Sequence, residues 1–180
     1  LLIIDTPNRD MKGISLLTYQ LIVKYGYFPI ITTTTNEFPC LIKYKPDLVL
    51  LPHVRYTRHQ QLLEFALSQR TKIAILPTEG FPMDDCLLDK TLVGLKQFYS
   101  FIELLLTWGD YTKEYCEQKS VLPNAEIITS GCPRFDFLSP KYSPIHRLKE
   151  QFCKEYQLDS KIPIISWFSS STYANPKEGF

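Results

Sequence analysis

The chain has 180 residues, of which 44% are hydrophobic, so it can bury the core of an ordinary globular domain. Its 20 basic and 19 acidic residues nearly balance, which argues against nucleic acid as a partner, because a nucleic-acid-binding face usually leaves a basic excess. Five scattered cysteines without a CxxC pair argue against a zinc site and indicate reduced thiols, as in a cytoplasmic protein.

No stretch of the sequence approaches the roughly 20 apolar residues that a membrane-spanning helix needs. The opening residues, LLIID, lack a basic flank and are predicted to form a buried strand, not a signal peptide. Because the chain opens inside this strand without Met and stops at KEGF, we expect both ends to be cut and the fragment alone to be inactive.

Short apolar runs alternate with helix-like stretches along the chain, which predicts an α/β fold: a Rossmann-like, doubly wound parallel sheet covered by helices. In chain order, the predicted strands are Leu1–Asp5, Phe28–Thr32, Asp47–Leu51, Lys72–Leu76, Leu104–Trp108, Glu126–Thr129 and Ile162–Trp167. The predicted helices are Lys12–Tyr25, Arg58–Gln69, Leu92–Phe101, Asp110–Lys119 and Pro144–Tyr156, with Pro144 in the first turn of the last one.

These elements predict three parts: an N-terminal Rossmann-like domain over residues 1–140, an interdomain helix and crossing over 141–160, and the start of a C-terminal domain over 161–180. In such sheets ligands bind outside the carboxyl ends of the strands, so the loops at those ends hold the candidate site residues.

The loop after the first strand has neither a GxGxxG fingerprint nor a Walker motif. Arg9 is a candidate to meet an anionic ligand there. The alternative is a solvated loop in which Asp10 caps the first helix.

The fourth strand leads into Pro77-Thr78-Glu79-Gly80-Phe81. A carboxylate at a strand end, beside a glycine that permits a tight turn, suits a general acid or base. Glu79 and Gly80 are therefore candidates, and the alternative is an ordinary turn with a solvent-facing glutamate.

Two later segments complete the candidate set. After the sixth strand, Gly131 precedes Arg134 and Asp136, which either face a ligand or form an ion pair that pins the domain crossing. Asp110 is predicted to cap its helix. Near the end of the chain, the hydroxyls of Ser169, Ser170 and Ser171 either donate to a phosphate or belong to a capping loop.

The chain resembles bacterial surface carbohydrate biosynthesis proteins, a family of GT-B-like glycosyltransferases. The resemblance rests on the order of several short motifs, which are LLIIDTPNRDMKGISLL, KYGYFPII, KPDLVLLP, ILPTEG, LLLTWGDYTKEYC and IITSGCPRFDFLSP. The last motif is the most specific, since its Gly-x-Pro-Arg-x-Asp segment is similar to that of several GT-B enzymes.

The resemblance extends to the retaining β-Kdo transferases and implies transfer of a sugar from a nucleotide-activated donor, such as CMP-Kdo, to a surface polysaccharide or lipid-linked acceptor. It implies Asp136 as nucleophile and Glu79 as acid/base, the two-carboxylate arrangement of retaining sugar chemistry. Neither a cofactor nor a metal is expected. The full-length protein is expected in the cytoplasm or peripherally at the inner face of the membrane. The alternatives are a nucleotide-sugar epimerase of the same fold and a non-catalytic protein of polysaccharide assembly.

Overall fold

The structure, a computed structural model, describes residues 1–54 and 57–165. Its centre is a sheet of six strands in the order β2-β1-β3-β4-β5-β6, in which every neighbouring pair is parallel. The strands are β1 (Leu2–Ile4), β2 (Ile31–Thr33), β3 (Leu48–Leu51), β4 (Lys72–Ile75), β5 (Leu104–Thr107) and β6 (Glu126–Thr129). The inner strands β1, β3 and β4 are apolar and mostly buried, because a sheet covered on both faces needs near-continuous hydrophobic strands, whereas the edge strand β6 is largely exposed.

Helices cover both faces of the sheet. They are α1 (Pro7–Tyr25), α2 (Glu37–Tyr44), α3 (Thr57–Ser68), α4 (Asp85–Thr91), α5 (Val93–Gln97) and α6 (Asp110–Gln118), with 3-10 helices at Tyr99–Phe101 and Phe135–Leu138. Residues of α2 to α6 pack into one core cluster with alternate strand residues such as Ile3, Val49 and Ile73. On the other face, Ile14 of α1 packs with Leu2 and Ile4.

The chain divides into two compact units, Leu1–Ser139 and Pro140–Phe180. The first contains the whole sheet. The described part of the second consists of a 3-10 helix, Pro140–Ile145, and α7, Lys149–Glu155, whose Cys153 is buried. No helix in the described ranges is both long and apolar enough to cross a membrane.

The predicted α/β fold with a parallel, Rossmann-like sheet is confirmed, and each of the six strands overlaps its predicted range, although β2 begins at Ile31, three residues after the predicted Phe28. The seventh predicted strand, Ile162–Trp167, is wrong in its described part, since residues 162–165 are not in a strand. Its last two residues lie outside the described residues.

The helix predictions need several corrections. The predicted helix Leu92–Phe101 is in fact the short α5, Val93–Gln97, followed by the 3-10 helix Tyr99–Phe101. The first helix begins at Pro7, five residues before the predicted Lys12, because proline suits the first turn, where its missing N–H has no partner to lose. Pro144 lies inside a 3-10 helix, and α7 begins only at Lys149. Helices α2 and α4 were not predicted; α2 carries Pro39 in its first turn, where proline is tolerated.

Candidate functional site

The strand order brings the loops after β1, β3, β4, β5 and β6 to one edge of the sheet, since all six strands run in the same direction. The order reverses between β1 and β3, and ligands of open α/β sheets bind beside such a switch point. The loops on which sequence reasoning placed the candidate residues 9, 79, 80, 131, 134 and 136 all lie at this edge.

Arg9, in the first turn of α1, connects two of these loops. Its Nε and Nη2 donate to the two carboxylate oxygens of Asp10 over 2.7 and 3.1 Å. Its Nη1 donates to Glu79 over 2.7 Å, and Nη2 also donates to the Thr78 hydroxyl over 2.9 Å. The hydrogen bond to Asp10 above all, then the bond to Glu79, raises the pKa of Arg9, so the guanidinium stays charged. Arg9 therefore fixes the direction of the Glu79 carboxylate.

Asp10 is the buried centre of the cluster, with only 4% of the residue exposed. Besides the two bonds from Arg9, its Oδ2 accepts the backbone N–H of Thr6 over 3.1 Å. The prediction that Asp10 caps the helix is wrong, because the helix begins at Pro7 after Thr6, and Asp10 lies one turn inside. A buried carboxylate is stable only when paired and hydrogen-bonded, and this one is both.

Glu79 and Gly80 form the turn after β4. The Glu79 side chain is 54% exposed, so it can reach a ligand while paired with Arg9. Gly80 has φ +72°, and a Cβ at this position would lie 2.8 Å from the Trp108 ring. The indole Nε1 of Trp108 donates to the Pro77 carbonyl over 2.7 Å. The turn thus needs glycine for its backbone conformation and for its closeness to the indole.

Arg134 reaches the same cluster from the loop after β6. Its guanidinium lies 5.5 Å from the ring centroids of Trp108 and Phe135, and its Nη1 lies 3.9 Å from Asp10. The main chain of this loop lies very close to α1. A Cβ on Gly13 of the helix would lie only 2.7 Å from the Arg134 backbone nitrogen. The suggested ion pair between Arg134 and Asp136 is therefore wrong, since the partner is Asp10. In the described part of the chain, the guanidinium donates no hydrogen bond, so its N–H groups are available to an anion.

Asp136 and Gly131 lie on the same loop but outside this hydrogen-bonded cluster. Asp136 is in the 3-10 helix Phe135–Leu138, is exposed, and forms no ion pair or side-chain hydrogen bond with any residue of the described ranges. Gly131 has φ +76° and donates its N–H to the Thr107 carbonyl over 3.2 Å. The structure brings Arg9, Glu79, Gly80 and Arg134 together around Asp10 and Trp108. The two-carboxylate role of Asp136 with Glu79 stays a prediction.

Two shallow pockets border the cluster. The larger encloses about 380 Å³, including space open to solvent, and lies between the loops after β3 and β4. Its lining includes Pro52, His53, Thr78, Glu79, Gly80 and Phe81. The second, of about 270 Å³, is lined by residues including Asp10, Gly13, Thr78, Cys132 and Arg134.

Further bonds at this edge join neighbouring loops. The Tyr111 hydroxyl donates to Asp85 over 2.6 Å, and this bond raises the pKa of Tyr111. Asp110 accepts the Thr129 hydroxyl over 2.6 Å, while Gly109 occupies the cap position that the sequence assigned to Asp110. The cap prediction for Asp110 is therefore wrong, although the helix does begin at this residue.

Sequence reasoning missed the roles of Asp10, Thr78 and Trp108. For Asp10 a signal existed: it precedes Gly13 and Ile14 by three and four residues, the spacing of one helix face, so it lies on the buried side of α1. For Thr78 and Trp108 no local signal existed, because their partners come from distant parts of the chain.

Ser169, Ser170 and Ser171 lie outside the described residues. Across residues 1–54 and 57–165, no three His, Cys, Asp or Glu side chains are grouped so that they could hold a metal ion. The chain matches no known family model, no curated protein and no solved structure.

Proposed function

We propose that the chain is the N-terminal domain of a GT-B-type glycosyltransferase, which moves a sugar from a nucleotide-activated donor to a surface polysaccharide or lipid-linked acceptor. The observation that carries the proposal is the Arg9–Glu79 ion pair at the carboxyl edge of the parallel sheet, with the Arg134 guanidinium beside the same Asp10. A directed carboxylate can take the proton of a hydroxyl acceptor, and a nearby cation can stabilise the charge of a phosphate-bearing donor.

In this proposal Glu79 is the acid/base. A general base has to lie within hydrogen-bond reach of the hydroxyl whose proton it takes. The exposed Glu79 carboxylate meets this need, while Arg9 keeps it oriented through the bond to Nη1. Arg9 itself is a positioning residue, since its donors are directed at Asp10, Thr78 and Glu79.

Arg134 is the proposed contact for the negative charge of the donor or acceptor. A guanidinium presents its N–H groups in a planar fork that matches phosphate or carboxylate oxygens. The Trp108 and Phe135 rings hold this fork in place from the side, and the pairing with Asp10 at 3.9 Å limits its movement.

The role of Asp136 rests on the family resemblance. In the first step, a carboxylate oxygen of Asp136 attacks the anomeric carbon, and the bond from that carbon to the phosphate oxygen breaks, so the nucleotide leaves with the electron pair. In the second step, the acceptor hydroxyl attacks the same carbon, Glu79 takes the hydroxyl proton, and the bond to Asp136 breaks. Two displacements give net retention.

The test begins with calorimetric titration of the complete protein with CMP-, UDP-, GDP- and CDP-linked sugars. Turnover with the donor that binds is then measured for Glu79→Gln and Asp136→Asn, with Glu126→Gln, an exposed carboxylate at the start of β6, as the matched control. We expect loss of transfer in the first two variants and unchanged transfer in the control.

Normal transfer by Glu79→Gln would overturn the acid/base assignment. Conversion of the donor without any acceptor would instead indicate the epimerase activity. Absence of binding to all four donor classes would overturn the proposed function as a whole.

A further inference from the structure

The larger pocket, between the loops after β3 and β4, has an apolar floor. Val54, Ile75 and Leu95 line it, and each is at most 4% exposed and belongs to the core cluster. Phe81, which is half-buried and packs against the same cluster, adds a further apolar wall. Core packing therefore holds the floor in place, and the floor offers C–H and ring surface to one face of a ligand.

The rim of this pocket carries polar groups that both donate and accept hydrogen bonds. The Thr78 hydroxyl accepts from Arg9 over 2.9 Å, and its own proton has no acceptor in the described part of the chain, so it can donate to a ligand. The Glu79 carboxylate is 54% exposed and can accept. The imidazole of His53, when neutral, has one donor and one acceptor.

His53 is held in place at the rim from both sides and from behind. Its chain neighbours Pro52 and Val54 are buried, which fixes the backbone. Its ring meets the ring of His59 edge to face, with centroids 5.6 Å apart and planes at 74°. His59 lies in α3 and is only 1% exposed, so it is a fixed support for the half-buried His53 imidazole.

The charge at the pocket favours an uncharged ligand. Among the described residues that line it, Glu79 is the one side chain that is ionised throughout the neutral pH range, and Arg9 already pairs with it over 2.7 Å. A carboxylate on the ligand would lie beside Glu79 and be repelled. Hydroxyls, in contrast, can donate to Glu79 and can accept from Thr78.

We propose that this pocket binds one uncharged pyranose ring, the terminal residue of the acceptor, and that His53 and Thr78 hold its hydroxyls. A pyranose combines an apolar C–H face with an edge of hydroxyls, which matches the apolar floor and the polar rim. The inference rests on the proposed function, because Glu79 is there the base that takes the acceptor proton. The ring that Glu79 contacts is therefore the acceptor's.

The test uses the three histidines of the chain, His53, His59 and His146, as reporters. Their ring proton signals are recorded by NMR on the 180-residue chain at constant pH, during titration with methyl glucoside or methyl galactoside. The titration ends at about 100 mM, above the roughly millimolar Kd expected of a ligand with a single ring. We expect the His53 signal to shift along a saturation curve with at least one glycoside. The exposed His146, on the second unit, should not shift.

Variants then test the two proposed hydrogen-bonding residues, with Kd measured by saturation-transfer NMR on the glycoside. His53→Phe keeps a ring against His59 and removes the polar atoms, while Thr78→Val removes the hydroxyl. Each should raise Kd about three- to tenfold, the value of one hydrogen bond. His53→Gln, which keeps a donor and an acceptor, should bind more tightly than His53→Phe. Glu126→Gln, outside the pocket, should bind like the unchanged chain, and circular dichroism checks that every variant is folded.

The absence of a saturable His53 shift with both glycosides would overturn the proposal, and so would an equal shift of His146. Tighter binding of methyl glucuronide than of methyl glucoside would overturn the preference for an uncharged ring. The titration contains no nucleotide sugar, so its failure is distinguishable from failure of the proposed transferase. If a donor binds and is turned over while His53 does not respond, the pocket assignment alone falls.

Discussion

The Arg9 guanidinium donates to the Glu79 carboxylate over 2.7 Å, although 70 residues separate the two along the chain. The bond joins the loop after β1 to the loop after β4, two strands that are separated in the sheet by β3. Arg9 is itself held by the buried Asp10, so the position of Glu79 depends on a carboxylate that is almost inaccessible to solvent.

Replacing Asp10 should destabilise the fold. Asp10→Ala removes the acceptor of three hydrogen bonds, two of them from a guanidinium, and we expect a loss of about 2 to 4 kcal/mol in the free energy of unfolding. The measurement is urea denaturation. The control is Glu103→Gln, which breaks the exposed pair with Lys72 and should cost less than about 1 kcal/mol. Similar losses in the two variants would show that Asp10 is not a structural centre.

Comparing Gly80→Ala with Gly131→Ala should distinguish the cost of backbone strain, which both variants carry, from the cost of a clash with Trp108, which only Gly80→Ala carries. Both glycines have positive φ, +72° and +76°, so each substitution carries a strain of about 1 kcal/mol. A Cβ on Gly80 would also meet the Trp108 ring at 2.8 Å, whereas nothing lies within 4 Å of one on Gly131. We expect Gly80→Ala to lower the midpoint of thermal unfolding more than Gly131→Ala does. The reverse order would mean that the indole moves aside at no cost.

Alanine at Gly13 tests the approach of the loop after β6 to α1. In a free helix this change stabilises, by about 1 kcal/mol. Here the new Cβ would lie 2.7 Å from the Arg134 backbone nitrogen, so the two segments must separate, and we expect a net loss of about 1 to 3 kcal/mol. Ser15→Ala, at an exposed position of the same helix, should change stability by less than about 0.5 kcal/mol. Urea denaturation of Gly13→Ala showing a gain would contradict the contact.

Stability should fall as the pH rises above 9. Burial raises the pKa of Cys116 from 9.0 to about 11, and burial followed by the bond to Asp89 raises the pKa of Tyr115 from 10.0 to about 12. Between pH 9 and 11 the unfolded chain loses the thiol proton while the folded chain keeps it, so unfolding becomes easier. One such proton lowers the free energy of unfolding by about 1.4 kcal/mol per pH unit.

The measurement is urea denaturation at a series of pH values from 8 to about 11. The series ends there because about 11 is the pKa of Cys116 in the folded protein. Cys116→Ala should have a shallower decline, whereas Cys86→Ser, which changes an exposed thiol, should decline like the unchanged chain. Identical slopes in all three proteins would show that the Cys116 thiol does not contribute.

The sequence predicted the six strands, because each is a short apolar run bounded by polar residues. It also predicted that Arg9, Glu79 and Arg134 lie at strand ends on one edge. It did not predict that α1 begins at Pro7. Because the helix was predicted to begin at Lys12, Asp10 was interpreted as its cap, whereas it is a buried residue inside the helix. Helix α2 was not predicted because it is short and contains Pro39, a residue that usually argues against a helix. Proline is nevertheless compatible with the first turn, where Pro39 lies.

By itself, then, the sequence determined the six strands, most of the helices and the residues that reach the carboxyl edge, since these follow from local hydrophobic pattern and loop position. Only the tertiary structure decided that Arg9 pairs with Asp10 and Glu79, that Arg134 lies against Trp108 and not Asp136, and that β1 sits between β2 and β3. The physical reason is that side-chain partners depend on strand order and on close backbone approaches such as Gly13 to Arg134, which no local pattern encodes.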